Sequence, residues 1–297
     1  MNRNVLSIIA LAAAGLIGCG SSQTTPQVPE APAEAPEAPA AEAEDAVAKR
    51  TAEKIRAAVA SPERPENERA RDKYRHPVET LEFFGLRDDM AVLELWPGGG
   101  WYTAILAPVL AENGKLVVTN YDPNGPEDKP VTRYGRMFAE RLQKEGDRFS
   151  KVQVVIVDPP EKLNLGEDNS VDMALTFRNV HGWVSQGTAE AILKEVHRVL
   201  KPGGILGVVD HRANPGTDPE TWKKTGYITE EEVIRLAEGA GFELVEKSEI
   251  NANPNDTKDH PEGVWTLPPT LRLGDKDREK YEAIGESDRM TLKFRKK

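Results

Sequence analysis

The sequence is short of three things, and each shortage excludes something. It has one cysteine in 297 residues. No disulfide can therefore form within the chain, and no cysteine-based metal centre can be built. It has no excess of positive charge: 39 Lys and Arg stand against 49 Asp and Glu, a net charge of −10. A general nucleic-acid binder needs a basic surface to meet phosphates, so no nucleic-acid partner is expected. It also has little in the way of long apolar runs. The run from Val5 to Ile17 is too short to span a bilayer as a stable helix. The chain as a whole, 38% hydrophobic and 30% charged, has a composition ordinary for a soluble globular protein.

What is present at the N-terminus points to export. Met1-Asn2-Arg3-Asn4 gives a positive start, and the apolar run follows it, the pattern of a signal peptide. The run ends in Leu16-Ile17-Gly18-Cys19, a lipobox, and its cysteine is the single one in the chain. The sequence predicts cleavage before Cys19, acylation of its sulfur and attachment to a membrane through that lipid. Gly20, in the place that aspartate occupies in retained lipoproteins, resembles lipoproteins sorted to an outer membrane, so the expected location is the cell envelope, on the periplasmic face. The expected organisation is a signal peptide (1–18), a disordered Ala/Pro/Glu-rich tether (19–44), an N-terminal helical segment (45–66) and one main domain (67–297). The tether has almost nothing to bury.

From Met90 onward, strands and helices alternate. Strands are expected at 91–95, 115–119, 152–157, 171–177, 205–209, 242–246 and 291–294, with the β-branched Val152–Val157 read as buried. Helices are expected at 101–111, 131–145, 188–200 and, after a Thr229-x-x-Glu232 capping box, to about Ala240. Lys201-Pro202-Gly203-Gly204 reads as a turn. Such alternation predicts a mostly parallel seven-stranded sheet with helices on both faces. Ligands on sheets of this kind bind beyond the carboxyl ends of the strands, where the strand order reverses.

The strongest local signal is Val92-Leu93-Glu94-Leu95-Trp96-Pro97-Gly98-Gly99-Gly100, a strand ending near a carboxylate and a glycine turn opening a helix. The glycines allow the backbone close to a ligand, and the helix N-terminus offers N–H groups to a carboxylate. Glu94 can accept from an ammonium. A plain strand–helix turn has the same composition. A nicotinamide dinucleotide fits less well, since the third glycine of its fingerprint falls on Thr103.

Glu94-Leu95-Trp96-Pro97-Gly98-Gly99-Gly100 resembles the first motif of class I S-adenosylmethionine (SAM)-dependent methyltransferases. The second strand ends in Asn120-Tyr121-Asp122, where that family holds the ribose hydroxyls, and the third in Val157-Asp158-Pro159, where it places an aspartate near the adenine amine. Glu167 to Asp172 and Val199 to Gly204 are similar to the family's approaches to its fourth and fifth strands. More narrowly, Arg71 to Glu79, Phe177 to Trp183 and Gly285 to Met290 are similar to bacterial predicted methyltransferases that carry signal peptides.

The resemblance implies a Rossmann-like class I methyltransferase fold with S-adenosyl-L-methionine as cofactor. It places Glu94, Gly98, Gly99, Gly100, Asn120, Asp122, Asp158, Arg178 and Asn179 around that cofactor. Two departures stand out: Trp96 replaces the motif's first glycine, and Asn120 replaces the usual acid.

His181, after the fourth strand, is the candidate general base; a hydrogen-bonded structural histidine is its alternative. Arg178 and Asn179 can hold a carboxylate or brace the loop. Asp210-His211-Arg212 offers too few ligands for a metal, and no metal is expected. Tyr74, Arg75 and His76 can lid the cofactor, and the polar insertion carrying Asn253 to Asp256 and His260-Pro261 can shape a substrate mouth. The function expected is methyl transfer to a small-molecule or surface-accessible acceptor. The alternative is a non-catalytic binding or scaffold lipoprotein with a degenerate methyltransferase fold.

Overall fold

Ala91–Leu95, buried along nearly its whole length, forms the central strand β1. The computed structural model to which it belongs describes residues 38–297. The signal peptide, Cys19 and most of the expected tether lie outside the described residues. Six further strands follow: β2 (Lys115–Asn120), β3 (Gln153–Ile156), β4 (Val171–Phe177), β5 (Leu200–His211), β6 (Phe242–Ser248) and β7 (Arg289–Lys296). They form one sheet in the order β3-β2-β1-β4-β5-β7-β6. The first five strands pair in parallel, and β7 runs antiparallel between β5 and β6. The mostly parallel, seven-stranded arrangement expected from the sequence is therefore present.

The helices preceding the sheet are α1 (Ala38–Ala60), α2 (Glu66–Arg69), α3 (Asp72–Arg75) and α4 (Pro77–Phe84). Those that follow are α5 (Thr103–Leu110), α6 (Pro130–Glu145), α7 (Val180–Ser185), α8 (Ala189–Val199), α9 (Pro219–Thr225), α10 (Glu230–Gly239) and α11 (Arg278–Ile284). Side chains alternate across each strand, so neighbouring residues feed opposite layers. Val92 and Met173 join Leu81, Phe84, Ile105 and Phe138 on one face. Leu93 and Ala174 join Ile192, Val196, Leu206 and Leu236 on the other. The apolar stripe of α8 and the Thr229 cap of α10, whose hydroxyl accepts from the Glu232 backbone N–H at 3.4 Å, fall where the sequence put them.

Three expectations are corrected. The strand read as buried at 152–157 is β3, the sheet edge; Gln153 and Val154 are exposed, and Val155 and Ile156 half-buried. β-Branching suits a pleated strand whether or not a second strand covers it, so it does not report burial. Lys201-Pro202-Gly203-Gly204 is not a separate turn but lies within β5, where the pairing with β4 shifts register between Val171 and Met173. Gly203 takes φ +75° in this irregularity. Finally, α1 begins at Ala38, inside the stretch read as tether. Its later turns are clamped to the domain by the buried Asp88, which accepts from Arg50 at 2.7 and 2.8 Å and pairs with Lys54 at 2.9 Å.

The chain runs from β1 outward to β2 and β3, then returns to β4 on the other side of β1. The order thus reverses between β1 and β4, and the carboxyl ends of these strands are where the fold leaves a crevice.

Candidate functional site

The loop after β1 is built on left-handed backbone. Trp96, Gly98 and Gly100 have φ of 43°, 60° and 77°. For glycine this is free of side-chain cost; for tryptophan it costs about 1–2 kcal/mol. Trp96 is held there by burial, with its ring centroid 5.3 Å from that of Trp183 and 6.0 Å from that of Tyr121. Its backbone N–H donates to the Thr119 hydroxyl at 2.8 Å. The Asn179 amide donates to the Leu95 carbonyl at 2.8 Å and to the Thr176 hydroxyl at 3.1 Å, tying the ends of β1 and β4 together. Asn179 therefore braces the glycine loop as well as bordering the crevice.

The crevice holds about 570 Å³, the size of a small-molecule site, and Trp96, Gly98, Gly99, Asn120, Tyr121 and Asn179 border it. Gly98 and Gly99 face open space: a Cβ added at either meets no protein atom within 4 Å. Gly99, unlike Gly98, has no left-handed φ, so a side chain can be placed there without backbone strain. A glycine wall, an aromatic ring pair and an amide at the end of β2 suit a nucleoside-sized ligand.

The residues expected around a cofactor are not all at that wall. Gly98, Gly99, Asn120, Arg178 and Asn179 line the crevice; Glu94, Gly100, Asp122 and Asp158 do not. Glu94 is fully buried beneath the loop, where burial pushes its carboxyl up to about 7 and the Thr103 hydroxyl donates to it at 2.6 Å. It ties the start of α5 to β1. Gly100 packs under the loop, and a Cβ there would stand 3.1 Å from the Phe138 ring. Asn120 spends its amide N–H on the Gly135 carbonyl at 3.0 Å, which leaves its carbonyl oxygen for a ligand. Asp122 closes a local turn by accepting from the Asn124 backbone N–H at 2.8 Å. The half-exposed Asp158 lies 3.8 Å from the Lys129 ammonium.

A second cavity of about 190 Å³ adjoins the first, and the two share Arg178 and Pro269. His181, His211, Trp265 and Ser287 border it. His181 Nδ1 lies 2.8 Å from an oxygen of the buried Asp210, and the His181 backbone N–H donates to the other oxygen at 3.2 Å. A carboxylate only accepts, so Nδ1 carries a hydrogen, and Nε2 is the nitrogen left without a protein partner among the described residues. His211 Nδ1 lies 2.5 Å from the Ser287 hydroxyl. Burial first, and then His181 and Arg178, drive the His211 basicity well below its usual range and keep that ring neutral. His181, Asp210 and His211 offer ligand atoms within 4.8 Å of one another. Yet Asp210 already accepts three N–H groups, two from His181 and the His211 backbone N–H at 2.7 Å. This is an oriented imidazole.

Between the cavities lies a cluster the sequence reading did not assemble. Glu286 accepts from Arg71 at 2.5 Å and Arg75 at 3.2 Å, and pairs with Arg289 at 3.2 Å. Burial alone would raise its carboxyl, but Arg75, Arg289 and Arg71 outweigh that and hold it down at about 2. Arg75 belongs to the stretch Tyr74 to His76 read as able to lid the cofactor; the Tyr74 carbonyl accepts from Arg289 at 2.9 Å, which ties that stretch to residues 285–289. Three stretches far apart in sequence, 71–79, 177–183 and 285–290, thus meet here. They are the same three that carried the narrower resemblance, which was the only signal in the sequence that they belong together.

The insertion after β6 walls the second cavity with Val264, Trp265 and Pro268 to Thr270, not with the Asn253–His260 stretch expected to do so. That stretch instead anchors the insertion: the buried Asp256 accepts from the Tyr227 hydroxyl at 2.9 Å and the Asp288 backbone N–H at 2.8 Å, and lies 2.8 Å from His260 Nε2. Tyr121 and Tyr134, at the mouth of the larger crevice, were not singled out in the sequence either.

Comparison with known proteins agrees with this geometry. Residues 93–208 match the family model described as a methyltransferase domain. A SAM-dependent methyltransferase from Aquifex aeolicus superposes with a TM-score of 0.51 at 21% identity, over 82% of this chain and 97% of that one, a likeness of fold. The 6-hydroxymellein synthase cdmE of Talaromyces verruculosus is 25% identical over 186 residues, 57% of this chain; the match spans 7% of that far longer protein.

Proposed function

We propose that this chain, which carries a class I SAM-dependent methyltransferase domain with S-adenosylmethionine as its cofactor, transfers a methyl group to an acceptor seated in the cavity beside His181. One observation carries the reading: a nucleoside-sized crevice walled by the glycine loop shares Arg178 and Pro269 with an adjoining cavity bordered by an Asp-oriented imidazole. Gly98, Gly99 and Asn120 would hold the cofactor, and Tyr121 and Trp96 would flank it. S-adenosylmethionine supplies, when bound, a methyl group on a good leaving group, so positioning the acceptor is the main demand on the protein. His181 Nε2 would take the proton from an acceptor hydroxyl or amine, and Asp210 would fix its tautomer and stabilise the charged ring.

The test is calorimetric titration of S-adenosylhomocysteine. The wild-type protein is expected to bind saturably. Gly99→Val should fold normally, because its Cβ meets nothing, yet bind at least about tenfold more weakly. A folded wild-type protein that ignores millimolar ligand would instead support the non-catalytic reading, which the buried Trp96 in place of a glycine and the uncharged Asn120 favour.

We further propose that the domain is held at a membrane of the cell envelope by a lipid on Cys19. The lipobox and its single cysteine support this. Cys19→Ser should move the protein from the membrane fraction to the soluble fraction on cell fractionation; unchanged partition would refute the anchor.

A further inference from the structure

Arg178 stands where the two cavities meet, and its backbone takes φ 64°, a conformation that costs a non-glycine residue about 1–2 kcal/mol. Among the described residues its guanidinium makes no hydrogen bond and no ion pair. Its neighbours do not offer it a free anion. Arg71, Arg75 and Arg289 already surround the one nearby carboxylate, Glu286, so four guanidinium groups share a single negative charge. Burial, and then Arg71 and Arg289 against the opposing pull of Glu286, lower the pKa of Arg178 to about 10, which still leaves it a cation at neutral pH. Of the acids that border the two cavities besides Glu286, Glu68 is paired with Arg141 at 2.6 Å; Asp210, behind His181, is paired with that ring. The junction is therefore positively charged in a protein of net charge −10. An unpaired cation is costly even when half-buried, as Arg178 is, and the fold keeps this one in a strained backbone position, as functional sites often do.

We propose that the methyl acceptor is an anion whose carboxylate or phosphate group sits on Arg178, with its nucleophilic atom toward His181. This rests on the methyltransferase reading and adds to it a class of acceptor. A planar guanidinium with both edges free is matched to the paired oxygens of such a group. The arginines around Glu286 would act as positioning residues, because they keep Arg178 from collapsing onto that carboxylate.

The test uses the purified full-length protein and three ring-bearing probes: benzoate, phenyl phosphate and the neutral benzamide. Each is titrated by ligand-observed NMR with S-adenosylhomocysteine present. The expected result is that at least one anion binds and benzamide does not. Arg178→Gln should weaken the anion by about tenfold or more, Arg178→Lys by less, and both should weaken S-adenosylhomocysteine by clearly less than the anion. Binding of benzoate alone assigns a carboxylate acceptor, and of phenyl phosphate alone a phosphate one. The proposal is overturned if neither anion binds, if benzamide binds as well as the anions, or if Arg178→Gln leaves anion binding intact. It is overturned too if Arg178→Gln weakens S-adenosylhomocysteine as much as the anion, since Arg178 would then serve the carboxylate of the cofactor. Failure of the wild type to bind S-adenosylhomocysteine overturns the methyltransferase reading and the proposal with it, whereas failure of the anions while S-adenosylhomocysteine binds overturns the proposal alone.

Discussion

Replacing Glu286 by glutamine is expected to cost about 3–5 kcal/mol of stability at neutral pH, enough to lower the melting temperature by about 10 °C. The reason is the company the carboxylate keeps. Glutamine preserves the shape and can still accept hydrogen bonds, but it leaves Arg71, Arg75, Arg178 and Arg289 gathered with no counter-charge. The pH dependence gives a sharper signature than the loss itself. The Glu286 carboxyl is held at about 2, below its ordinary 4.5, so the folded state favours the ionised form. Its contribution is present above pH 4.5 and is lost as the pH falls toward 2. Chemical denaturation at several pH values should therefore show wild type and variant converging in acid and separating above pH 5. A constant gap across that range would mean that packing, not charge, explains the loss.

Glu94 is expected to behave in the opposite sense. Its carboxyl is pushed from 4.5 up to about 7 by burial, so the folded state holds a proton that the unfolded chain releases. Its contribution is complete below pH 4.5 and is lost as the pH rises through 7. That gap corresponds to about 3 kcal/mol. Glu94→Gln, which can still accept from the Thr103 hydroxyl, should match wild type near pH 4 and exceed it by about 3 kcal/mol at pH 8. Since Glu94 lies beneath the crevice, S-adenosylhomocysteine affinity should change little in this variant at pH 6. A variant less stable than wild type at pH 8 would show that the ionised carboxylate has a partner in the folded protein.

These residues also show where sequence reasoning reached and where it stopped. The strands were legible because burial on both faces leaves mostly apolar runs such as those of β1 and β4, broken only by Glu94, Asp172 and Thr176. The glycine loop was legible because its composition follows from its backbone. Side-chain direction was not. Nothing local says that Glu94 turns down to Thr103 while Asn120 faces the crevice, or that Asp158 stays half in solvent. The exposure of β3 escaped because strand propensity and burial are separate properties, decided by what lies beside and above the strand. The arginine cluster escaped for a different reason. Arg71 and Glu286 are 215 residues apart, and no periodicity connects them. The Asn179 brace was one of two readings left open for that residue, and only the positions of Leu95 and Thr176 establish it.

The placement of β7 has a consequence for how the molecule is made. This strand is the seventh in sequence, yet it lies inside the sheet, with β5 on one side and β6 on the other. While the ribosome still holds those residues, β6 has no neighbour to pair with and β5 has an open flank. Arg289, which opens β7, and Glu286, just before it, are also absent from the nascent fold until that moment. The sheet and the charged junction between the two cavities are therefore completed together, by the same segment of chain. A chain lacking residues 285–296 would lose its architecture and its site together.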